Sequence, residues 1–252
     1  MSKGVSGSSL ALGDEKFKAL VSVAQDLQMP LRFMNDASSF VAENYNKLSK
    51  EQIVEYLEKI NIETESFMHL IDGIVKGYQW NQAKLKLDVQ PSNLFLITDE
   101  VVDDLKKTSI HYGQHLSLES ARKLPLAIAD RQALSLAIYN LTEMLLKHSP
   151  TESIIKLKLS KRQNLLCLSL RSADLYISKL EIIRMLKQFA QFRAPSRTFA
   201  SNSGMAVFVA KNIIESMKGR LDIVKFNKGC NFNIYLPISN QQSLFPLETL
   251  SL

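Results

Sequence analysis

Hydrophobic and polar positions alternate with two different periods along this chain of 252 residues. Between about residues 15 and 78, apolar residues recur every three or four positions, as they do on one face of an α-helix. Ser49 and Gln52 have the spacing of a capping box, which predicts that a second helix begins there. The pattern therefore predicts a hairpin of two long amphipathic helices. Because each helix has a single apolar stripe, we expect the hairpin to dimerise into a four-helix bundle.

After this region, short segments with the period of a β-strand are interleaved with segments that have the period of a helix. Two pairs of strand-like segments are joined by polar turns, as in β-hairpins. This order predicts a mixed α/β sandwich rather than a doubly wound parallel sheet. The predicted strands are Leu85–Val89, His115–Glu119, Ser153–Leu159, Leu165–Leu170, Arg220–Phe226 and Asn231–Leu236, and the predicted helices are Leu94–Thr108, Asp130–Lys147, Lys179–Phe189 and Met205–Met217.

The two periods also divide the chain into domains, and the fold class that they predict is α+β. Residues 1–13 are rich in glycine and serine, and we expect a disordered tail there. The helical hairpin is assigned to residues 14–86 and the α/β domain to residues 87–238. Residues 239–252 form a C-terminal tail with several leucines, whose role the sequence leaves open.

Composition and charge exclude several classes of protein. The chain has no apolar run near the ~20 residues that cross a bilayer and no signal-peptide pattern, so we expect a cytoplasmic protein without membrane insertion. Its two cysteines, Cys167 and Cys230, are expected to be buried thiols, although their segments could be neighbours and form a disulfide. The formal charge of +6 is spread along the chain and accompanies no nucleic-acid-binding motif, so no nucleic acid partner is expected.

The first predicted helix contains a segment, Leu20–Leu31, with the sequence LVSVAQDLQMPL. This segment resembles the phosphoacceptor box of bacterial sensor histidine kinases, V-x-S-H-E-L-R-T-P-L. Gln25 stands at the position of the phosphoacceptor histidine, and Asp26 at that of its acidic neighbour. A carboxamide lacks the nucleophilic lone pair of imidazole, so Gln25 cannot accept a phosphoryl group.

The order of elements from about Glu15 to Ile238 resembles the whole histidine kinase core. The hairpin resembles the dimerisation and histidine-phosphotransfer domain, and the remainder resembles the ATP-binding domain of the GHKL superfamily. Asn140–Pro150 is similar to the family's N-box, N-L-L-x-N-A-x-K-Y-S, and Ser203–Ile223 is similar to the region from the second glycine box onward. The resemblance implies a nucleotide pocket formed by Asn140, Met144, Lys147, Ser172, Asp174, Tyr176 and Gly204.

Several residues of this implied pocket depart from the family's pattern. Met144 stands where the family has the asparagine that binds magnesium, and a thioether is a poor ligand for a hard cation. Ser172 replaces the aspartate that holds adenine, which costs on the order of 1–2 kcal/mol. Asp174 adds negative charge near the phosphates, Tyr176 replaces a glycine, and Gly204 is the one glycine kept of three.

These departures predict a degenerate, pseudo-histidine kinase that has no cofactor, with ATP and magnesium bound only if the altered pocket still holds them. The leading hypothesis is a dimeric scaffold, either homodimeric or heterodimeric, which binds a response regulator or a sensor kinase. The resemblance places the contact surface around the former phosphoacceptor position, at Gln25, Asp26, Gln28, Arg32 and Asn35.

Two other hypotheses remain open at this point. A divergent ATP-dependent kinase or ATPase would use unusual ligands such as Asn140, Glu143 or Asp174. A small-molecule sensor would use the vestigial pocket, lined by Tyr176 and Phe208. Among the histidines, His69 is expected to pack in the bundle rather than to replace the missing phosphoacceptor. No metal site is expected from His111 and His115, which are four positions apart but have no carboxylate or cysteine ligand set nearby.

Overall fold

The computed structural model of the protein describes residues 27–28, 30–81, 87–121, 123–190, 202–226 and 229–239. Over these ranges the chain forms a helical hairpin followed by a domain of helices and strands, as the hydrophobic periods predict. The predicted N-terminal tail at residues 1–13 lies outside the described residues, as does residue 240 and all that follows it.

The hairpin consists of α1, described over residues 27–28 and 30–44, and α2, Lys50–Asn81. The capping box predicted before α2 is present: the Ser49 N–H donates to Gln52 Oε1 at 2.9 Å, and the Gln52 N–H donates to Ser49 Oγ at 3.2 Å. The two helices contact each other through the rings of Phe40 and Tyr56, whose centroids are 5.1 Å apart. These contacts hold the hairpin closed near its loop.

The α/β domain follows the hairpin, and its elements alternate as the sequence predicts. Its helices are α3 (Leu94–Asp104), α4 (Lys106–His111), α5 (Arg131–His148), α6 (Lys179–Ala190) and α7 (Asn202–Ser216). Its strands are β1 (Gln90–Ser92), β2 (His115–Ser120), β3 (Ala127–Ala129), β4 (Ile154–Arg162), β5 (Leu165–Arg171), β6 (Arg220–Phe226) and β7 (Gly229–Pro237).

Five of the strands form one mixed sheet in the order β2-β4-β5-β7-β6. β2 runs parallel to β4, with Leu118 opposite Leu157, and the other neighbouring pairs are antiparallel. β1 and β3 form a separate antiparallel pair. The two predicted β-hairpins, β4-β5 and β6-β7, are therefore confirmed, and the parallel pair comes from the crossover between β2 and β4.

The core lies between one face of the large sheet and the layer formed by α3, α5 and α7. α5 is the central helix of this layer, and nearly all of its side chains from Ala133 to Leu146 are buried. Its first turn is capped as predicted, because Asp130 Oδ1 accepts a hydrogen bond from the Ala133 N–H at 3.0 Å. The helix that contains the N-box-like segment is thus the most buried one of the domain.

The structure corrects some predicted element boundaries. Of the predicted strand Leu85–Val89, residues 85–86 lie outside the described residues and residues 87–89 are not in a strand; β1 begins at Gln90, because its partner β3 pairs with Gln90–Ser92. The predicted helix Leu94–Thr108 is interrupted at Leu105, which divides it into α3 and α4. The alternating pattern before β1 and the continuous helical period across Leu105 are local signals. Tertiary contacts overrode both of them.

The two cysteines are free and buried, although β5 and β7 are neighbouring strands. Cys167 lies opposite Tyr235, whereas Cys230 lies opposite Lys225, so the register keeps the two thiols apart. Burial raises the pKa of the Cys230 thiol to about 12. Across the described ranges, no helix combines the length and the hydrophobicity that a bilayer crossing requires.

Candidate functional site

The C-terminal half of α5 carries three of the residues that the resemblance assigns to a nucleotide pocket. Asn140, Met144 and Lys147 follow one another at helical spacing and therefore lie along one side of α5. Asn140 is 3% exposed and Met144 is 2% exposed, whereas Lys147 is half-buried. The first two side chains are thus part of the packed interior of the domain.

Met144 belongs to the main hydrophobic cluster of the α/β domain. A methionine side chain has only a thioether sulfur as a weak acceptor, and magnesium prefers octahedral oxygen ligands. The side chain at this position can therefore fill space in the core but has no oxygen to offer a magnesium ion.

Ser172, at the position of the family's adenine-binding aspartate, is fully buried and already hydrogen-bonded. Its hydroxyl donates to the carbonyl oxygen of Asp174 at 3.0 Å and lies 2.7 Å from Ser149 Oγ. Since the Ser172 proton is directed to Asp174, Ser149 is the donor in the bond between the two serines. The hydroxyl thus uses its proton and one of its lone pairs within the protein.

The turn after α5 is held together by Gln114, which the sequence analysis missed. Its Nε2 lies within hydrogen-bonding distance of the carbonyl oxygens of Leu146, Ser149 and Pro150, at 2.9, 2.6 and 3.2 Å. Gln114 is buried, so its side-chain amide supplies a donor to carbonyl groups at and just after the end of α5. Nothing in the local sequence identifies it, because the interaction joins residues more than 30 positions apart.

The remaining predicted pocket residues lie in different surroundings. Asp174 is exposed, and Tyr176 has 74% of its surface accessible while its backbone N–H donates to the His148 carbonyl oxygen at 2.7 Å. Gly204 is buried in the first turn of α7, and Phe208, one turn further along, is half-buried. Asp174 and Tyr176 therefore belong to the surface of the segment between β5 and α6.

Lys147 has three oxygen partners, two of which come from the hairpin. Its Nζ donates to Ser66 Oγ at 2.6 Å and lies 3.4 Å from Glu143 Oε1 and 3.9 Å from Glu63 Oε2. The sequence predicted a lysine near a nucleotide, but it did not predict that α2 would supply partners for it. Those partners were not apparent because Glu63 and Ser66 are more than 80 positions away from Lys147.

His148 follows Lys147 at the end of α5, and the pKa of its imidazole is lowered in the folded protein. Burial lowers the pKa of the His148 imidazole, the positive charge of Lys147 lowers it further, and Glu181 acts in the opposite direction. The neutral imidazole is therefore favoured in the folded protein.

The residues predicted as a partner-binding surface lie on α1 or just before it. Gln25 and Asp26 lie outside the described residues, whereas Gln28, Arg32 and Asn35 are exposed on α1. His69 packs as a stacked ring on Tyr139 of α5, with ring centroids 3.9 Å apart. His69 was expected to pack inside the bundle, but its described partner belongs to the α/β domain.

The comparison with family models assigns residues 129–240 to the histidine kinase-, DNA gyrase B- and HSP90-like ATPase family. This range contains α5, β4, β5, α6, α7, β6 and β7. It therefore includes every residue of the pocket that the resemblance implied.

Relatives and solved structures extend the similarity to the hairpin. The chain is 21% identical to the sensor protein KdpD of Clostridium acetobutylicum over 240 residues, which are 93% of this chain and 26% of KdpD. It resembles the histidine kinase AdeS of Acinetobacter baumannii with a TM-score of 0.59 and 13% identity, over 85% of this chain and 98% of AdeS. The histidine kinase ThkA, in complex with the response regulator protein TrrA, matches with a TM-score of 0.57 and 15% identity, over 87% of this chain and 61% of ThkA.

The chain spans about a quarter of the length of KdpD, so these similarities concern the part of such proteins that the hairpin and the α/β domain represent. The order of elements, the mixed sheet and the family match at residues 129–240 all lead to the same assignment. Residues 129–240 form a domain of the histidine kinase-, DNA gyrase B- and HSP90-like ATPase family, which follows a helical hairpin in the fold of a histidine kinase core.

Proposed function

We propose that this protein is a pseudo-histidine kinase, a two-component signalling protein that acts as a dimeric scaffold rather than by phosphotransfer. The observation that carries this proposal is the buried position of Met144, where the family's magnesium ligand is expected. A thioether within a packed hydrophobic cluster supplies neither the oxygen nor the open space that a hydrated magnesium ion requires.

Two further contacts support a pocket that no longer binds ATP. The Ser172 hydroxyl is engaged by Ser149 and by the Asp174 carbonyl, so an adenine amino group would have to compete with an intramolecular bond. Lys147 is engaged by Ser66, Glu63 and Glu143, so a phosphate would have to displace these partners. Together with the glutamine at position 25, these contacts favour a role in binding proteins.

The hairpin has the surface that a dimeric bundle requires. Large apolar side chains of both helices are exposed in the isolated chain, which is unfavourable unless a partner covers them. A second copy of the hairpin, or the hairpin of a related kinase, offers a matching apolar stripe. The exposed residues are Leu31, Phe33, Phe40, Val54, Leu57, Met68, Ile71 and Val75.

A response regulator is the proposed partner of this dimer. The ThkA structure contains such a partner, and the fold of ThkA is similar to that of the present chain. Gln28, Arg32 and Asn35 are exposed along α1 and would contribute the contact surface, together with Gln25 and Asp26.

Calorimetric titration with ATP tests the first part of the proposal. The protein is titrated with ATP to millimolar concentration in magnesium buffer and again in EDTA, and we expect no binding heat in either. Magnesium-dependent binding by the unmodified protein would overturn the assignment as a pseudokinase.

Binding to receiver domains tests the second part. Receiver domains encoded in the same cell are immobilised, and we expect one of them to retain the protein and to lose it on Arg32→Glu. Glu58→Lys, a charge reversal at an exposed position of α2, is the matched control and should bind normally. Failure to retain any receiver domain, with the dimer intact, would contradict the partner assignment.

A divergent ATPase is the second candidate, and one feature of α5 favours it. Glu143 Oε1 is buried and accepts no hydrogen bond, although Lys147 Nζ is 3.4 Å away, and the Asn140 side chain one turn before it is also buried. A buried carboxylate oxygen of this kind is a possible ligand for a cation. Magnesium-dependent ATP turnover that is lost on Asn140→Ala would establish this function in place of the scaffold.

A further inference from the structure

The hairpin contacts the α/β domain along one side of α2, and this contact is polar at its centre. α2 packs against α5 and α7, the two helices that run side by side in the helical layer of the domain. Glu63, Ser66 and His69 follow one another at intervals of three residues in α2 and all contact the domain. The side of α2 that they occupy is therefore covered by the domain.

Lys147 is at the centre of this contact. Its ammonium group donates to Ser66 Oγ at 2.6 Å, and carboxylates from both helices lie nearby, Glu63 from α2 and Glu143 from α5. The Lys147 side chain is 20% exposed, that of Glu63 is 26% exposed and that of Glu143 is 9% exposed. At this degree of burial, water and salt screen the charges less than they would at an open surface.

Glu63 connects the contact to a third element of the domain. While one of its oxygens faces Lys147, the other accepts a hydrogen bond from the Tyr112 hydroxyl at 3.3 Å. Tyr112 follows α4 directly, and burial followed by the nearby charges of Glu63 and Glu143 raises the pKa of its hydroxyl. The protonated hydroxyl, which donates to Glu63, is therefore favoured in the folded protein.

An aromatic contact lies beside the polar group. The His69 imidazole stacks on the Tyr139 ring with an interplanar angle of 28° and a centroid distance of 3.9 Å. Tyr139 is eight residues before Lys147 on α5, and His69 is six residues after Glu63 on α2, so the contact extends along both helices. Two helices held at several points along their length have a defined relative orientation.

We propose that Glu63, Ser66, Tyr112, Glu143 and Lys147 form an interdomain latch, here called the Lys147 latch. When closed, it fixes the hairpin against α5, and when the charges are separated the hairpin and the α/β domain move independently. This inference concerns the arrangement of the two parts within one chain and does not depend on the proposed scaffold function. Its structural basis is Lys147, which has oxygen partners both on α2 of the hairpin and on α5 of the α/β domain.

The distance between two spin labels, one on each part of the chain, tests the Lys147 latch. Cysteines introduced at Glu58 in α2 and at Lys161 in β4 are exposed, whereas the native Cys167 and Cys230 are buried and react slowly. The labelled protein is mixed with an excess of unlabelled protein, so that only distances within one chain are measured in a dimer. We expect a single narrow distance distribution for the protein with no further substitution.

Charge reversal should open the latch. We expect Lys147→Glu, which places three carboxylates together, to replace the narrow distribution by a broad one for most molecules. Glu63→Lys should have the same effect and changes a side chain outside the domain core. Lys158→Glu, the same charge change on the exposed face of the sheet, is the control and should leave the distribution unchanged.

The double variant Glu63→Lys with Lys147→Glu should recover part of the narrow distribution, because it restores a pair of opposite charges across the boundary. Urea unfolding of each variant separates opening of the latch from loss of fold. If Glu63→Lys is folded and keeps the narrow distribution, the Lys147 latch does not hold the two parts together and the inference is wrong. A broad distribution in the unmodified protein would also overturn it.

Discussion

Ser149 and Ser172, which are 23 positions apart, share a hydrogen bond of 2.7 Å in the interior of the α/β domain. The bond joins the turn after α5 to the end of β5, and the Asp174 carbonyl oxygen accepts the proton of Ser172. Ser172→Ala leaves both groups without this partner, and we expect the free energy of unfolding to fall by about 1–3 kcal/mol. Urea unfolding measures this change.

A double-mutant cycle with Ser149→Ala provides the control for that prediction. If the two hydroxyls interact as described, the two substitutions together cost less than the sum of their separate costs. Strict additivity would mean that the two serines act independently and do not share this bond.

Met144→Asn should destabilise the domain strongly, because it places an amide in the main hydrophobic cluster. Shortening a buried methionine costs about 2–5 kcal/mol, and burying an unpaired amide adds to this cost. Met144→Leu, which nearly preserves the volume, should cost less than about 1.5 kcal/mol. Equal stability of the two variants in urea unfolding would indicate that position 144 is open to solvent, as a functional nucleotide pocket would require.

His148 should make the stability of the protein depend on pH below neutrality. The pKa of its imidazole is lowered in the folded state, with burial as the main cause, from an ordinary value of 6.5. Above pH 6.5 both states are neutral and the full stability is present. As the pH falls below that value, His148 takes up a proton more readily in the unfolded chain than in the folded protein, so the free energy of unfolding decreases.

We therefore expect His148→Gln to lose less stability than the unmodified protein between about pH 7 and pH 5, as measured by urea unfolding at each pH. His111→Gln, at an exposed histidine, is the matched control and should follow the unmodified protein. Identical pH profiles for His148→Gln and the unmodified protein would contradict the prediction.

Gly219→Ala should destabilise the protein, because Gly219 packs closely between the end of α7 and β7. An alanine Cβ at this position would lie 2.7 Å from the Tyr235 carbonyl oxygen and 2.9 Å from that of Ile214, both of which are backbone atoms. Relief of this clash requires a backbone shift, which costs about 1–3 kcal/mol. Thermal unfolding should show a lower midpoint for Gly219→Ala, whereas Ser216→Ala, at an exposed position of the same helix, should change it little.

Local sequence patterns were sufficient for much of the fold. The capping box at Ser49 and Gln52, the cap at Asp130 and the two β-hairpins depend on residues close together in the chain, and all are present in the structure. The sequence also showed that Met144 and Ser172 stand at the positions of the family's magnesium-binding asparagine and adenine-binding aspartate. Such features are accessible because their physical causes act over a few residues.

The tertiary structure decided which distant groups meet. β3 is three residues long and exists through its pairing with β1, and the break at Leu105 appears within a continuous helical pattern. Two of the three oxygen partners of Lys147 come from α2, more than 80 positions earlier. By itself, the sequence determined the order of the longer elements and the residues that replace the family's reactive groups. Only the folded chain determined how Ser172 and Lys147 are engaged, because hydrogen bonds and ion pairs between distant segments depend on packing that no local period encodes.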